Sequence, residues 1–476
     1  PIPIKIVSKK TQKSIIDFLK RKYNLNYLGM QQLDIERLNS IAKNSKIERK
    51  STILYSKLAK EYVDILHKKG YTDYNEIIIV ATKMILEKSE VLKCLEARFP
   101  YFFVDEYQDL GRPLHEIILE ILLNSNIKIF AVGDMDQSIY SFLGADPIFL
   151  NELSIQENIN RVELKNNYRS NQEVIESFEK LLDTKKSYKS KNDSSEKSEI
   201  LRVSCNNGIE EQFDCIAKRI IPYYTEKKNI RKEEMAILVS KNNQAKDLKR
   251  ILEKENIPCY ISRKDFERTE IIKWLEDCAL WSVDNRKIQY NKIYEFWKKL
   301  YFQGKVINDD KEKVEKERLF RNLVSSVEYK EDISKWVDSF IDKIKLIDVL
   351  SENSENIEEI ENLKLFCEVA KEEEYKNKNI EYLANLGKPL NQIVISTRHS
   401  SKGLEFEVII MPEMEQGHFP SGKLQTYDEE KRICFVCVSR AKKHCIFLYS
   451  RSYTENGVQK EYRESEFLKM IFDDKN

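Results

Sequence analysis

The sequence predicts an α/β fold in which parallel sheets are interrupted by helical insertions. Short apolar runs, "YFFVD", "IKIFAVGD" and "RVELKNNYRS", each end in polar residues and are separated by the helical "LHEIILEILLNS". That is the rhythm of parallel strands carrying functional residues at their ends. A second series of this kind resumes with "EILRVSC" and "EEMAILVSK". At 476 residues the chain is also too long for one ordinary hydrophobic core, so two or more domains are expected.

Taken in order, residues 1–97 read as helical, because "TQKSIIDFLKRKY" and "KLAKEYVDILHKKG" place apolar residues three and four apart with charges between. The strand-and-helix texture follows from residue 98. The run "TKKSYKSKNDSSEKSE", 184–199, is poor in apolar residues and reads as a mobile surface loop. Residues 270–390, with "DDKEKVEKERL" and "SENSENIEEIENLKLF", are strongly charged and predict a helical insertion. From 391 the chain returns to strands, "NQIVISTRHSSKGLEFEVIIMPEM" to "CIFLYS". No repeat of solenoid period occurs.

Composition bounds the function. The chain is 41% hydrophobic and 33% charged, with no apolar run long enough to cross a bilayer. The start "PIPIKIVSKK" has no apolar leader region, so a cytoplasmic location and no membrane partner are expected. A net charge of +1 excludes a polybasic nucleic-acid sponge; any such binding belongs to local grooves. The nine cysteines fit reduced core thiols rather than disulfides, and "CFVC" with His444 and Cys445 matches no common zinc spacing.

Chemistry concentrates at the strand ends. In "YFFVDEYQDL", Asp105 and Glu106 sit where a buried strand emerges, where one carboxylate can hold a hydrated Mg²⁺ and the other can orient a water. An isolated Asp-Glu pair is more often an ordinary charged strand end; its company changes the weighing. "VGDMDQSIYSFLGA" adds Gln137, suited to sensing a terminal phosphate, and Tyr140 and Phe142, whose flat faces suit base stacking or core packing. "LKNNYRS" adds Tyr168 and Arg169, a ring for an adenine and a cation for a phosphoryl group. "STRHSSKGLEF" presents Thr397, His399, Lys402 and Glu405 around Gly403, and "EEKRICFVCVSRAKK" places Arg440 near the end of an apolar run.

In this order and spacing the five segments resemble motifs II to VI of the UvrD/Rep/PcrA family of superfamily 1 DNA helicases. "KDFERTEIIKWLEDCALW" is similar to the family segment leading into its second helical insertion, so the resemblance covers nearly the whole chain. It implies two RecA-like, P-loop NTPase-type lobes, each with a helical insertion. The implied boundaries are 1–97 for the first insertion, 98–162 for the rest of the first lobe, 163–269 and 391–476 for the second lobe, and 270–390 for its short insertion. The implied activity is ATP hydrolysis with Mg²⁺ driving 3′ to 5′ movement on single-stranded or partially duplex DNA.

Position by position, the resemblance makes Asp105 the Mg²⁺ ligand, Glu106 the residue that polarises water, and Gln137, Arg169 and Arg440 the groups at the γ-phosphate. Tyr168 stacks on adenine, and Glu405, with Lys402 and Gly403 beside it, lies at the nucleotide. Tyr140, Phe142, Thr397 and His399 line the DNA path.

There are departures. "SFLGA" places Leu143 where the family has Arg, and the second insertion is short and highly charged. No G-x-x-x-x-G-K-[ST] loop occurs: none of the Gly-Lys pairs at 304, 387 and 422 is followed by Ser or Thr. The opening "PIKIVSKKTQKSIIDFLKRKY" resembles the family where its first insertion is already under way, so a natural start on the order of a hundred residues earlier is expected. The rival reading is a non-catalytic DNA-binding or scaffold subunit. With no fused nuclease visible, a helicase subunit acting beside a separate nuclease, in repair or in a Gabija-type antiviral defence system, is a narrower variant.

Overall fold

In a computed structural model the chain is described over residues 5–473, apart from 26–27, 42, 47–52, 158, 183–185, 193–196, 263–265, 304, 306–307, 353–355, 373–374, 376–377, 387–389 and 456–457. It divides into two compact units, Pro1–Ile209 with Ser401–Asn476, and Glu210–Ser400.

The first unit opens on strand Lys5–Ile6, which pairs in parallel with Tyr71–Thr72 inside the stretch read as helical, and continues in helices Lys9–Lys22, Met30–Asn39, Ile53–Lys68 and Tyr74–Glu87. Ile15, Ile16 and Leu19 share one helix face and meet Leu58, Tyr62 and Leu66 in a common core. Asp73 caps the helix Tyr74–Glu87 through the Glu76 amide and takes two bonds from buried Arg37, at 2.7 and 2.9 Å. The cap thus ties two helices that apolar packing alone would leave free to slide.

Strands Tyr101–Val104 and Lys128–Ala131 then pair in parallel, Tyr101 opposite Lys128 and Val104 opposite Ala131, connected through helix Arg112–Asn124. Phe102, Val104, Ile129 and Ala131 pack with Ile118 and Leu119 of that helix. On the alternate positions, Tyr101, Phe103 and Phe130 are 63, 73 and 60% exposed. The long strand Ala441–Glu455 lies between two parallel partners, Phe406–Met411 and Ile200–Asn207, and its far end turns back antiparallel to Val458–Glu461. Cys434, Cys437, Cys445 and His444 are fully buried in this part of the unit.

Two readings of the sequence change here. "RVELKNNYRS" is no strand over 161–165; only Asn166–Asn167 pairs, and Val162 and Leu164 stand 79 and 78% exposed. Alternation marks a segment able to pair, yet the ladder needs a neighbour. The expected mobile loop is instead partly built: Lys189–Ser190 is the strand that pairs with Asn166–Asn167. Residues 184–185 and 193–196 of that run lie outside the described residues.

In the second unit, strand Ile393–Thr397 is parallel to both Met235–Val239 and Cys259–Ile261. Its helical part runs from Glu270–Val283 to Ile380–Ala384 around Trp274, Trp297, Trp336 and Phe340. Each of the three indole N–H groups is satisfied, on Ile293 O, Glu315 Oε1 and Ser326 Oγ, which lets large rings be buried without an unpaired donor. Among the described residues no helix is long and apolar enough to cross a membrane.

Candidate functional site

Asp105 and Glu106 follow the strand Tyr101–Val104 directly and are exposed. The Glu106 backbone is left-handed, φ 50° and ψ 45°, an uncommon conformation for a residue with a Cβ. It is held there: the Glu106 amide donates to Asp105 Oδ1 at 2.9 Å, and Gln108 Nε2 donates to Glu106 Oε2 at 2.5 Å. Gln108, almost fully buried, also accepts from the Asp134 amide at 2.9 Å, so it fixes the end of one strand to the end of the next. Gly133 makes this approach feasible, because a Cβ there would stand 2.7 Å from Gln108 Oε1.

Asp134 is the next node. Its carboxylate accepts from the Asp136 amide at 3.1 Å and from Gln137 Nε2 at 2.9 Å. The other end of the Gln137 amide accepts from Arg440 Nη2 at 3.3 Å. Arg440 is 3% exposed, and its other hydrogen bonds run to the neutral Val436 carbonyl and Ser439 hydroxyl. Burial, then the neighbouring Arg169, lowers its pKa to about 10.

Arg169 reaches this point because Asn167 Oδ1 accepts from the Arg169 and Ser170 amides, folding the loop back, while Ser170 Oγ donates to Ala441 O. Its guanidinium donates to Ser439 O at 3.1 Å and pairs with Glu405 at 2.5 Å. That bond from Arg169 holds the Glu405 carboxyl below the usual carboxylate range. Tyr168, beside it, is 76% exposed.

Lys402 enters from a third segment. Its ammonium donates to Asp109 Oδ2 at 2.5 Å and Gln137 O at 3.1 Å, lies 3.4 Å from Glu106 Oε2, and sits 5.3 Å above the Tyr140 ring. Gly403 follows at φ +84°, a turn that other residues resist. Asp109 is shielded enough that burial raises its pKa despite Lys402, and its Oδ1 has no hydrogen-bond partner. Tyr140 and Phe142 meet edge to face at 6.1 Å, and Arg432 Nε holds the preceding Ser138 carbonyl at 2.6 Å.

The structure therefore brings Glu106, Gln137, Arg169, Lys402, Glu405 and Arg440 into one bonded chain of contacts, with Asp105 bonded to Glu106 and Gly403 adjoining Lys402. Thr397 and His399 belong to the second unit. Thr397 is buried and donates to Ser400 Oγ at 2.8 Å; burial, then Arg398, lowers the His399 pKa. Sequence reasoning left Gln108, Asp109, Asp134 and Arg432 without roles. The first two lie within "YFFVDEYQDL" itself, and the signal for them was the amide beside a carboxylate at a strand mouth.

Among the described residues no three His, Cys, Asp or Glu side chains converge as a metal shell. The donor set still fits Mg²⁺, which keeps its waters and takes one or two carboxylates. Asp105 and the orphaned Asp109 oxygen are such groups.

Parallel strands that end in carboxylates, with buried Arg440 beside the partly exposed Arg169, define an α/β protein that gathers charged side chains at its strand ends. Residues 4–158 match the UvrD/REP helicase N-terminal domain, and 162–277 with 277–452 match the UvrD-like helicase C-terminal domain. The chain is 27% identical to the ATP-dependent DNA helicase Rep of Buchnera aphidicola subsp. Acyrthosiphon pisum, over 98% of this chain and 80% of that protein. It is 24% identical to the ATP-dependent DNA helicase PcrA of Bacillus subtilis, over 98% of this chain and 72% of that one. The chain belongs to the UvrD/Rep helicase family.

Proposed function

We propose that this chain is the motor of an ATP-dependent DNA helicase that moves 3′ to 5′ on single-stranded DNA. The observation that carries the reading is Arg440: a buried guanidinium with a depressed pKa, bonded to neutral groups and set beside Arg169. Arg169 has Glu405 as its partner while buried Arg440 has only neutral ones, so an anion that takes hydrogen bonds from Arg440 and neighbouring Arg169 stabilises the place, and a γ-phosphate is such an anion. Gln137, gripped between Asp134 and Arg440, is positioned to report that anion to the aromatic pair Tyr140 and Phe142, three and five residues on.

In this reading Asp105 holds Mg²⁺, which screens the phosphate charge when bound. Glu106 orients the attacking water, its direction fixed by Gln108. Tyr168 offers its open ring to adenine. Glu405, Lys402 and Gly403 lie at the nucleotide, and Tyr140, Phe142, Thr397 and His399 along the DNA. The lobe and insertion boundaries are those given above. The phosphate-binding loop, which these 476 residues do not contain, would come from a strand–loop–helix unit; the bare aromatic face of Tyr101, Phe103 and Phe130 supports this, because parallel sheets are ordinarily covered on both faces.

The test is Glu106→Gln in the protein carrying that loop. ATP binding should persist while single-strand-stimulated hydrolysis falls about 10²- to 10⁴-fold, the range for a lost general base. Unaltered turnover removes Glu106 from the chemistry.

A further inference from the structure

The segment Lys186–Asn192 touches both halves of the arginine–glutamine site. At one end it is clamped to the loop that carries Arg169. Strand Lys189–Ser190 pairs with Asn166–Asn167, Ser190 Oγ donates to Ser170 O at 2.8 Å, and Asn192 Nδ2 donates to Arg169 O and Asn171 Oδ1, both at 3.1 Å. The Tyr188 amide donates to Glu179 Oε1 at 2.7 Å, anchoring the segment to helix Gln172–Glu179. Ser187 takes a left-handed backbone, φ 57°, which turns the chain just after Lys186.

At the other end, Lys186 leaves this frame and lies against the loop that carries Gln137. Its ammonium pairs with Asp136 and stands 3.7 Å from Asp134 Oδ1. Asp134 is the residue that holds the Gln137 amide, so one ammonium offsets part of the charge of two carboxylates two residues apart at the point where Gln137 is aimed. Burial opposes the Lys186 charge, yet the bond to Asp136 and the field of Asp134 outweigh it and raise its pKa, so the ammonium stays charged. Without a cation here, Asp134 and Asp136 repel each other and any phosphate brought to Arg440.

We propose that Lys186 is a positioning residue that acts through Asp134 to hold Gln137 in its working orientation, and that Lys186–Asn192 is a strap coupling the Arg169 loop to the Gln137 loop. This rests on the reading of Gln137 as the group that senses the terminal phosphate. Displacement of the Arg169 loop is then transmitted to Gln137 through the strap as well as through Arg440.

The experiment measures steady-state ATP hydrolysis with saturating single-stranded DNA, in the full-length, ATPase-competent protein. Lys186→Met should lower kcat about tenfold while KM for ATP stays within about twofold, the signature of an interaction that matters more in the transition state than in the ground state. Lys186→Arg should restore most of the rate. Combined with Gln137→Ala, Lys186→Met should cost nothing further, because both act through one group. An unchanged kcat overturns the inference, and so does a full additional tenfold loss in the Gln137→Ala background. If Gln137→Ala itself leaves hydrolysis intact, the reading of Gln137 fails and takes the strap with it, an outcome separate from the other two. Lys186→Gln, with a melting temperature matched to the parent, repeats the measurement should the methionine variant misfold.

Discussion

Arg440 shows how much a single residue's chemistry depends on where it is buried. A guanidinium at the surface is a generic cation; here its hydrogen bonds go to Val436 O, Ser439 Oγ and Gln137 Oε1, with a second guanidinium beside it. Arg440→Ala should therefore lower ATP turnover about 10³-fold or more, the scale of a lost arginine finger, measured as phosphate release; a drop below tenfold would deny it contact with the phosphate. Phe142 lies edge to face with Tyr140, whose ring carries Lys402. Phe142→Ala should weaken single-strand binding by about 1–3 kcal/mol in fluorescence anisotropy, and an unchanged Kd would make the ring a packing residue. Arg440, Gln137 and Phe142 were singled out in the sequence because ordered motifs carry them, and the structure bonds Arg440 to Gln137. Asp134 and Gln108 were not: a buried amide bonded across 26 residues leaves no periodic trace, and only the fold brings the two loops together.

Among the elements, helices were the most legible, since three-and-four spacing states both the structure and the face that is buried. Helix Ile333–Ile344 shows this: Ile333, Trp336, Val337, Phe340, Ile341 and Ile344 are all buried. Trp336 stacks on Phe340 at 5.1 Å and donates its N–H to Ser326 Oγ at 3.0 Å. Trp336→Ala should cost about 3–5 kcal/mol of stability by denaturant titration, and less than about 1 kcal/mol would mean that the helical part tolerates the cavity by collapsing. Strands were less legible for the opposite reason. Apolar alternation in "RVELKNNYRS" marks a capacity to pair, and residues 161–165 have no ladder. Lys189–Ser190 pairs with Asn166–Asn167 through its backbone and has no apolar side chain, so its composition announced a loop. The strap that ties the Arg169 loop to Asp134 was hidden by composition for this reason.

For the whole molecule the telling feature is an imbalance. Net charge is +1, yet one sheet face carries Tyr101, Phe103 and Phe130 in the open, with rings 6.4 and 5.8 Å apart. Two parallel strands with one covered face are marginal on their own, and exposed aromatic patches on a sheet bind other apolar surfaces. The residues alternate, so the two faces can be tested separately. In the 476-residue chain, Phe103→Lys should reduce fluorescence of a hydrophobic dye severalfold and raise solubility, while the unfolding midpoint shifts by no more than about 0.5 kcal/mol, as for a surface change. Phe102→Lys, on the face packed against Ile118 and Leu119, should instead destabilise by about 3 kcal/mol or more, because it buries an unpaired charge. When the strand–loop–helix unit bearing the phosphate loop is supplied, Phe103→Lys should become as destabilising as Phe102→Lys. If Phe103→Lys remains neutral there, the loop-bearing unit packs elsewhere, and this face has no part in completing the ATP site.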